Sequence, residues 1–127
     1  MNYLLDTHAV IWYFEDAACL PIKIAHIIDN PIHHKFICVA SLWEIAIKSN
    51  IGKLDMKISF DEFIDIIENS DLSVIPIEND YLKDLSKLPF IHKDPFDRLI
   101  ITTALREGLT IVTIDENIQK YDVPWIW

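Results

Sequence analysis

The chain has 127 residues, 51% of them hydrophobic and 24% charged, which excludes a disordered chain and suffices for one domain with its own core. Two glycines in the whole sequence exclude a Gly-rich phosphate-binding loop. With 11 basic and 20 acidic residues the formal net charge is −9, the wrong sign for a surface that grips nucleic acid broadly. Either nucleic acid is not the partner, or the contact is local and some of the acids hold cations. Cys19 and Cys38 are too few for a disulfide scaffold, and Cys38, in the apolar run Phe36-Ile37-Cys38-Val39, reads as a small buried thiol. No cationic leader is read at the start, and the longest apolar run, Ala9 to Phe14, is far short of a membrane span. The expectation is a soluble, cytoplasmic protein.

Short β-type runs alternate with helical patterns along the chain. Tyr3-Leu4-Leu5 predicts a first strand stopped by Asp6-Thr7. His8 to Phe14 suits either strand or helix by composition; the alternation favours a short helix, with Thr7 as its N-cap. Pro21 suits the first position of a helix carrying Ile24, Ile27 and Ile28 on one face. Phe36 to Val39 predicts a second strand. Ser41-Leu42-Trp43-Glu44 then matches a capping box opening a helix that Gly52 ends. Ser59-Phe60-Asp61-Glu62 is a second capping box, with Phe63, Ile66 and Ile67 turned inward. Leu72 to Ile75 predicts a third strand and Asp80 to Leu88 a short helix. Asp94-Pro95 starts another helix, stopped by Gly108. Thr110 to Ile114 and Val123 to Trp127 predict strands four and five. Strands separated by helices imply parallel pairing through right-handed crossovers, so the expected fold class is α/β, a parallel sheet of four to five strands with helices on both faces.

Sites in open parallel sheets form at the carboxyl ends of the strands. The polar residues expected there are Asp6, Ser41, Glu44, Thr113 and Asp115, joined by Asp94 and Asp97 at the start of the helix before strand four. Asp97 shares a helical stripe with Ile101 and Ala104, and an inward carboxylate is costly unless paired or bound to a cation. Converging carboxylates raise one another's pKa, and a divalent cation removes that cost. Oxygen donors of this kind select Mg²⁺ or Mn²⁺ over zinc. Plainer readings stand beside this one. Glu44 fits the N3 place of a cap and lies four residues before Lys48, and Asp97 stands three after a possible cap at Asp94. Asp6 and Asp115 would each serve as turn residues.

At these residues the chain resembles a known family. Asp6-Thr7-His8-Ala9, then Ser41-Leu42-Trp43-Glu44-Ile45 with Lys48, then His92-Lys93-Asp94-Pro95-Phe96-Asp97-Arg98-Leu99-Ile100, then Thr113-Ile114-Asp115, resemble the PIN domain. The match runs in order over nearly the whole chain and is similar to the ribonuclease toxins of type II toxin–antitoxin pairs, the VapC-like group. The resemblance implies a single α/β/α sandwich over residues 1–127 with sheet order 3-2-1-4-5, a metal-dependent endoribonuclease activity and a cognate antitoxin. It implies that Asp6, Glu44 and Asp97 are the core metal-binding acids and that Asp115 is the fourth, more variable one. Asp94 is expected just behind them.

On that reading one or two Mg²⁺ or Mn²⁺ ions would sit among Asp6, Glu44, Asp97 and Asp115, activating a water for in-line attack on a phosphodiester. Thr7, Ser41 and Thr113 would orient carboxylates or waters, and Lys48, Lys93 and Arg98 would hold flanking phosphates or else lie on solvated helix faces. His26, His33, His34 and His92 have no zinc-type spacing with the cysteines and are read as non-ligands. His8 is read as a helix-start residue beside the site. Trp12, Trp43, Trp125 and Trp127 are read as packing residues before base-stacking ones. Ile45, Ile47 and Ile51, with Trp12 and Phe14, are expected to form a homodimer face or an antitoxin groove. The alternative function is a catalytically silent PIN-fold binding or scaffold module. A receiver-type phosphoryl-transfer domain fails for want of paired acids after the first strand and of a lysine in the last.

Overall fold

The computed structural model describes all 127 residues. Strands β1 (Asn2–Leu5), β2 (His34–Cys38), β3 (Ser73–Ile75), β4 (Thr110–Val112) and β5 (Trp125–Ile126) form one parallel sheet in the order β3-β2-β1-β4-β5. Helices α1 (Thr7–Phe14), α2 (Ile22–Asp29), α3 (Val39–Asn50), α4 (Phe60–Glu68), α5 (Asn79–Leu85), α6 (Pro95–Glu107) and α7 (Glu116–Gln119) connect them. The expected three-layer α/β/α class and strand order are those observed.

Strand periodicity divides the core in two. Leu5 pairs in register with Ile37 and Val112, and these three join Ala9, Val10, Ile24, Phe63 and Ile67 on one face. Leu4, one residue earlier, lies beside Ile111 and turns to the other face, against Leu99, Ile101 and Ala104 of α6. Helix α3 contributes to both cores, Ala40 to one and Ile45 to the other. It thereby straddles the carboxyl edge of the sheet, between the two helical layers.

Several boundaries differ from the sequence expectations, and each difference bears on the site. Strand β2 ends at Cys38, and α3 begins at Val39 with the Cys38 Sγ accepting from the Ala40 amide at 3.4 Å. Ser41 is therefore inside the first turn rather than capping it, and the expected box with Glu44 does not form. Asp6, not Thr7, is the N-cap of α1: its Oδ1 accepts from the Ala9 amide at 2.8 Å. At the second expected box Ser59 caps α4: its Oγ accepts from the Glu62 amide at 3.1 Å and donates to Glu62 Oε1 at 3.2 Å, in place of the reciprocal bond to the Ser59 amide. Asp94 caps α6 with Pro95 following, and Gly108 closes that helix at φ 67°, a left-handed conformation that glycine adopts without strain. Strand β4 stops at Val112, and Asp115 caps the short helix α7, which periodicity did not reveal. No helix is long and apolar enough to cross a membrane.

Candidate active site

Crossover helices in a parallel sheet run antiparallel to the strands, so each begins at the sheet's carboxyl edge. That brings the start of α6 to the ends of β1, β2 and β4. Asp6 follows β1 directly and is only 4% exposed. Its second oxygen accepts a short bond from the Thr113 hydroxyl, 107 residues away. Thr113 Oγ1 in turn accepts from the Asp115 amide at 2.9 Å. One buried threonine thus ties the end of β1 to the loop after β4.

Glu44 reaches the same edge from the middle of α3. Its Oε1 accepts from the Thr7 hydroxyl at 2.6 Å, and its Oε2 pairs with Lys48 at 3.0 Å, one helical turn on. Because Asp6 does the capping of α1, the Thr7 hydroxyl is left free to donate to Glu44. Ser41, three residues before Glu44 on the same helical face, is fully buried, and its Oγ has no hydrogen-bond partner. A buried hydroxyl without a partner costs about 1–3 kcal/mol.

Asp97 completes the arrangement from the first turn of α6. Its amide donates to Asp94 Oδ1 at 3.0 Å, and its Oδ2 lies 3.1 Å from His92 Nε2. The His92 Nδ1 lies 2.8 Å from the Tyr121 hydroxyl. Neither His92 nor Tyr121 was singled out from the sequence as a site residue. The available signal for His92 was its position two residues before the Asp94 cap, where the incoming chain folds back over the first turn. Tyr121 carried no signal.

The electrostatics show one shared field. Burial pushes the Asp97 carboxyl up to about 7, against the lowering effect of its His92 bond, and the negative charges of Asp94, Asp115 and Glu44 push it further. Asp6 is also raised, chiefly by burial; its bonds from Thr113 and Ala9 and the nearby His8 oppose this, and Asp115 adds to it. Asp115 therefore acts on both Asp6 and Asp97, and Glu44 on Asp97, across the sheet edge.

Residues 3–124 match the PIN domain family. The chain belongs to that family. Its fold is similar to that of VapBC2 from Rickettsia felis, solved bound to a DNA fragment from the promoter, with a TM-score of 0.73 at 18% identity over 99% of this chain and 98% of that one. It is similar to FitAcB from Neisseria gonorrhoeae, with a TM-score of 0.72 at 16% identity over 98% and 96% of the two chains. It is also similar to DNA-bound VapBC from Salmonella typhimurium, with a TM-score of 0.72 at 16% identity over 99% and 97%. No curated protein matches the chain.

In this PIN domain the candidate donor set of Asp6, Glu44, Asp97 and Asp115 is all carboxylate, hard oxygen chemistry that fits a divalent cation. The raised acids and the orphaned Ser41 hydroxyl fit a cation with its waters. The side chains as they stand are turned to protein partners, namely Thr113, Thr7, Lys48 and His92, and no three of them are arranged to hold an ion.

Two expectations need correction. Arg98 does not face solvent or any phosphate path: it is buried, and its guanidinium donates to the carbonyls of Leu88, Pro89 and His92 and to Tyr121 Oη. An arginine one step past Asp97 on a helix turns about 100° away from it, into the packed side of α6. Ile45 is likewise fully buried in the core and belongs to no partner surface. Lys93 is exposed as expected, and Lys48 is half-exposed beside Glu44. Trp43 points away from Glu44, more than half exposed, and meets Phe96 edge-on at 5.0 Å.

Proposed function

We propose that this PIN domain is a Mg²⁺- or Mn²⁺-dependent endoribonuclease, the toxin of a type II toxin–antitoxin pair, working in the cytoplasm. The observation that supports the reading is that Asp115 acts on both Asp6 and Asp97, and Glu44 on Asp97, from positions distant in sequence, with Asp6 and Asp97 held above the usual carboxylate range. These four would hold the cation. When bound, such an ion supplies positive charge to the phosphodiester and makes a water acidic enough to attack it. The chain's own residues do the rest. Thr113 and the Ala9 amide fix the Asp6 carboxylate, Thr7 fixes one oxygen of Glu44, and His92 fixes Asp97. Ser41 offers its unpartnered hydroxyl to a water at the same edge. Lys48, placed on Glu44 and still partly exposed, is positioned to move to a substrate phosphate.

An antitoxin is supported by the solved relatives, three of which are VapBC or FitAcB complexes by name. A second copy of this chain is proposed at the exposed α3 stripe of Trp43, Ile47 and Ile51, spaced one turn apart. Sedimentation of the purified protein with and without Trp43→Glu reads that association directly, and an unchanged monomer in both rejects it.

The deciding experiment incubates purified protein with total RNA, with Mn²⁺ or with chelator, beside an Asp6→Asn variant. Metal-dependent new RNA ends in the wild type alone support the nuclease. Mn²⁺ binding with intact RNA supports the silent scaffold instead. With Arg98 withdrawn, only Lys48 and Lys93 remain of the expected phosphate contacts, so RNA affinity should fall gently with salt. The expected slope of log K against log salt is about −1.4, at roughly 0.7 per single-strand phosphate contact. A slope near −5 would reject local contact.

A further inference from the structure

Asp97 is oriented by a chain of hydrogen bonds that begins far behind it. Arg98 Nη1 donates to Tyr121 Oη at 3.1 Å, and the His92 backbone N–H donates to the same oxygen at 3.3 Å. A phenol oxygen so occupied by two N–H donors has its own hydrogen left to give. Two acceptors face it, His92 Nδ1 at 2.8 Å and the His92 carbonyl at 3.4 Å, and the shorter contact takes the hydrogen. Nδ1 is then the acceptor nitrogen of a neutral ring, so the ring's single hydrogen sits on Nε2. Nε2 lies 3.1 Å from Asp97 Oδ2 and donates to it. Every donor in the run Arg98, Tyr121, His92 points the same way, toward the carboxylate. The bond uses Oδ2 and leaves Oδ1 for another partner.

We propose that Tyr121 is a positioning residue for the Asp97 carboxylate: its hydroxyl, bonded to Nδ1, holds the His92 ring in the orientation that donates from Nε2 and so presents Asp97 to a divalent cation. The cation part rests on the nuclease reading above; the ring part does not. Tyr121 is well placed for this because it is buried just after α7 and is held by Arg98, which the packed side of α6 fixes in turn. The Tyr121 and His92 rings meet at 67° with centroids 5.4 Å apart, so their contact is a directed hydrogen bond and not a stack. Groups that orient a metal-binding side chain from behind are typically worth about 10–100-fold in metal affinity.

The test uses the full chain and has two readouts that need no RNA. At about pH 8, above the ordinary histidine range, nitrogen-15 NMR of the His92 ring should show Nε2 protonated and Nδ1 bare in the wild type. Tyr121→Phe keeps the ring and deletes the hydroxyl; it should move the Nδ1 signal to that of a nitrogen without a hydrogen bond and weaken Mn²⁺ binding about 10–100-fold by calorimetry. His92→Ala should weaken Mn²⁺ to a similar extent, and His92→Gln, which keeps an amide donor at the Nε2 position, should restore most of it. Tyr81→Phe is the control, since it deletes another buried tyrosine hydroxyl, bonded to Glu107 at 2.8 Å away from the acids, and should change neither readout. A wild-type ring protonated at Nδ1, an Nδ1 signal unmoved by Tyr121→Phe, or an unchanged Mn²⁺ affinity in that variant overturns the proposal. Failure of the wild type to bind Mn²⁺ at all would count against the metal-dependent reading and against the cation part, and the NMR arm would still decide the tautomer.

Discussion

On the proposed nuclease reading, Asp97→Asn should lower RNA cleavage by about 10²–10³-fold or more and, at neutral pH, raise the thermal stability of the metal-free protein. The two effects share one cause. Asp97 is mostly buried among Asp94, Asp115 and Glu44, and the folded protein holds its carboxyl near 7, well above its ordinary value of 3.8. An acid raised on folding binds its proton more tightly in the folded state. Its contribution to stability is therefore fully present below pH 4 and is lost as pH rises through about 7. Asparagine has nearly the same shape, keeps an oxygen for His92 and carries no charge, so it removes the unfavourable term. It also removes a charge that a divalent cation needs. Thermal melts between about pH 5 and pH 8, without added metal, should show stability falling with pH in the wild type and a flatter profile in the variant. Mn²⁺ should raise the wild-type melting temperature and act little on the variant, because a ligand stabilises only the state that binds it. Undiminished cleavage by purified Asp97→Asn would remove this residue from the site; a steeper pH profile would contradict the electrostatic account.

Arg98→Ala costs about 3–5 kcal/mol of folding stability, because it removes a buried, multiply bonded charge. The sequence reading treats Arg98 as a solvent-facing cation, and the structure shows a buried fork. Its guanidinium spans the carbonyls of Pro89 at 2.9 Å, Leu88 at 3.3 Å and His92 at 3.4 Å and the Tyr121 oxygen, and it lies 4.9 Å over the Phe90 ring. Residues 88 to 92 form no helix or strand, and these bonds are what close that loop against α6. Truncation to alanine leaves several acceptors without a donor and releases the backbone that carries His92. Lysine keeps the charge as a single point and reaches fewer of the acceptors, so Arg98→Lys should fall between the two. Urea unfolding reads the result as a lowered midpoint with an unchanged slope. A cost under about 1 kcal/mol for the alanine variant would show that the loop is held by something else.

Local chemistry made much of this protein legible before any coordinates. Ser59 with Glu62, Asp94 with Pro95, and Gly108 mark helix ends through interactions confined to a few residues, and the structure places each as read. The alternation of Leu4 and Leu5 between two cores follows from the two-residue period of a strand, which needs no partner to define it. Ser41 misled because its pattern with Glu44 is locally correct, yet Cys38 leaves the sheet already capping α3 and starts the helix earlier. Where a strand stops is decided by its neighbours' lengths, and nothing in the residues around Ser41 reports that. Helix α7 escaped notice for a related reason: four residues are too few to show a period, and its cap is the side chain of Asp115, read as a site acid or a turn residue.

The chain's own sequence determined the α/β class, the helix caps, and the acidic character of the strand ends, since each follows from contacts within one turn or one strand. Tertiary structure alone decided the partners of those acids. Thr113 meets Asp6, Thr7 meets Glu44, and Tyr121 stands behind His92 and Asp97 only because crossover packing closes separations of tens to a hundred residues. The orientation of a buried carboxylate depends on whichever donor the far chain delivers, and that is a property of the folded edge as a whole.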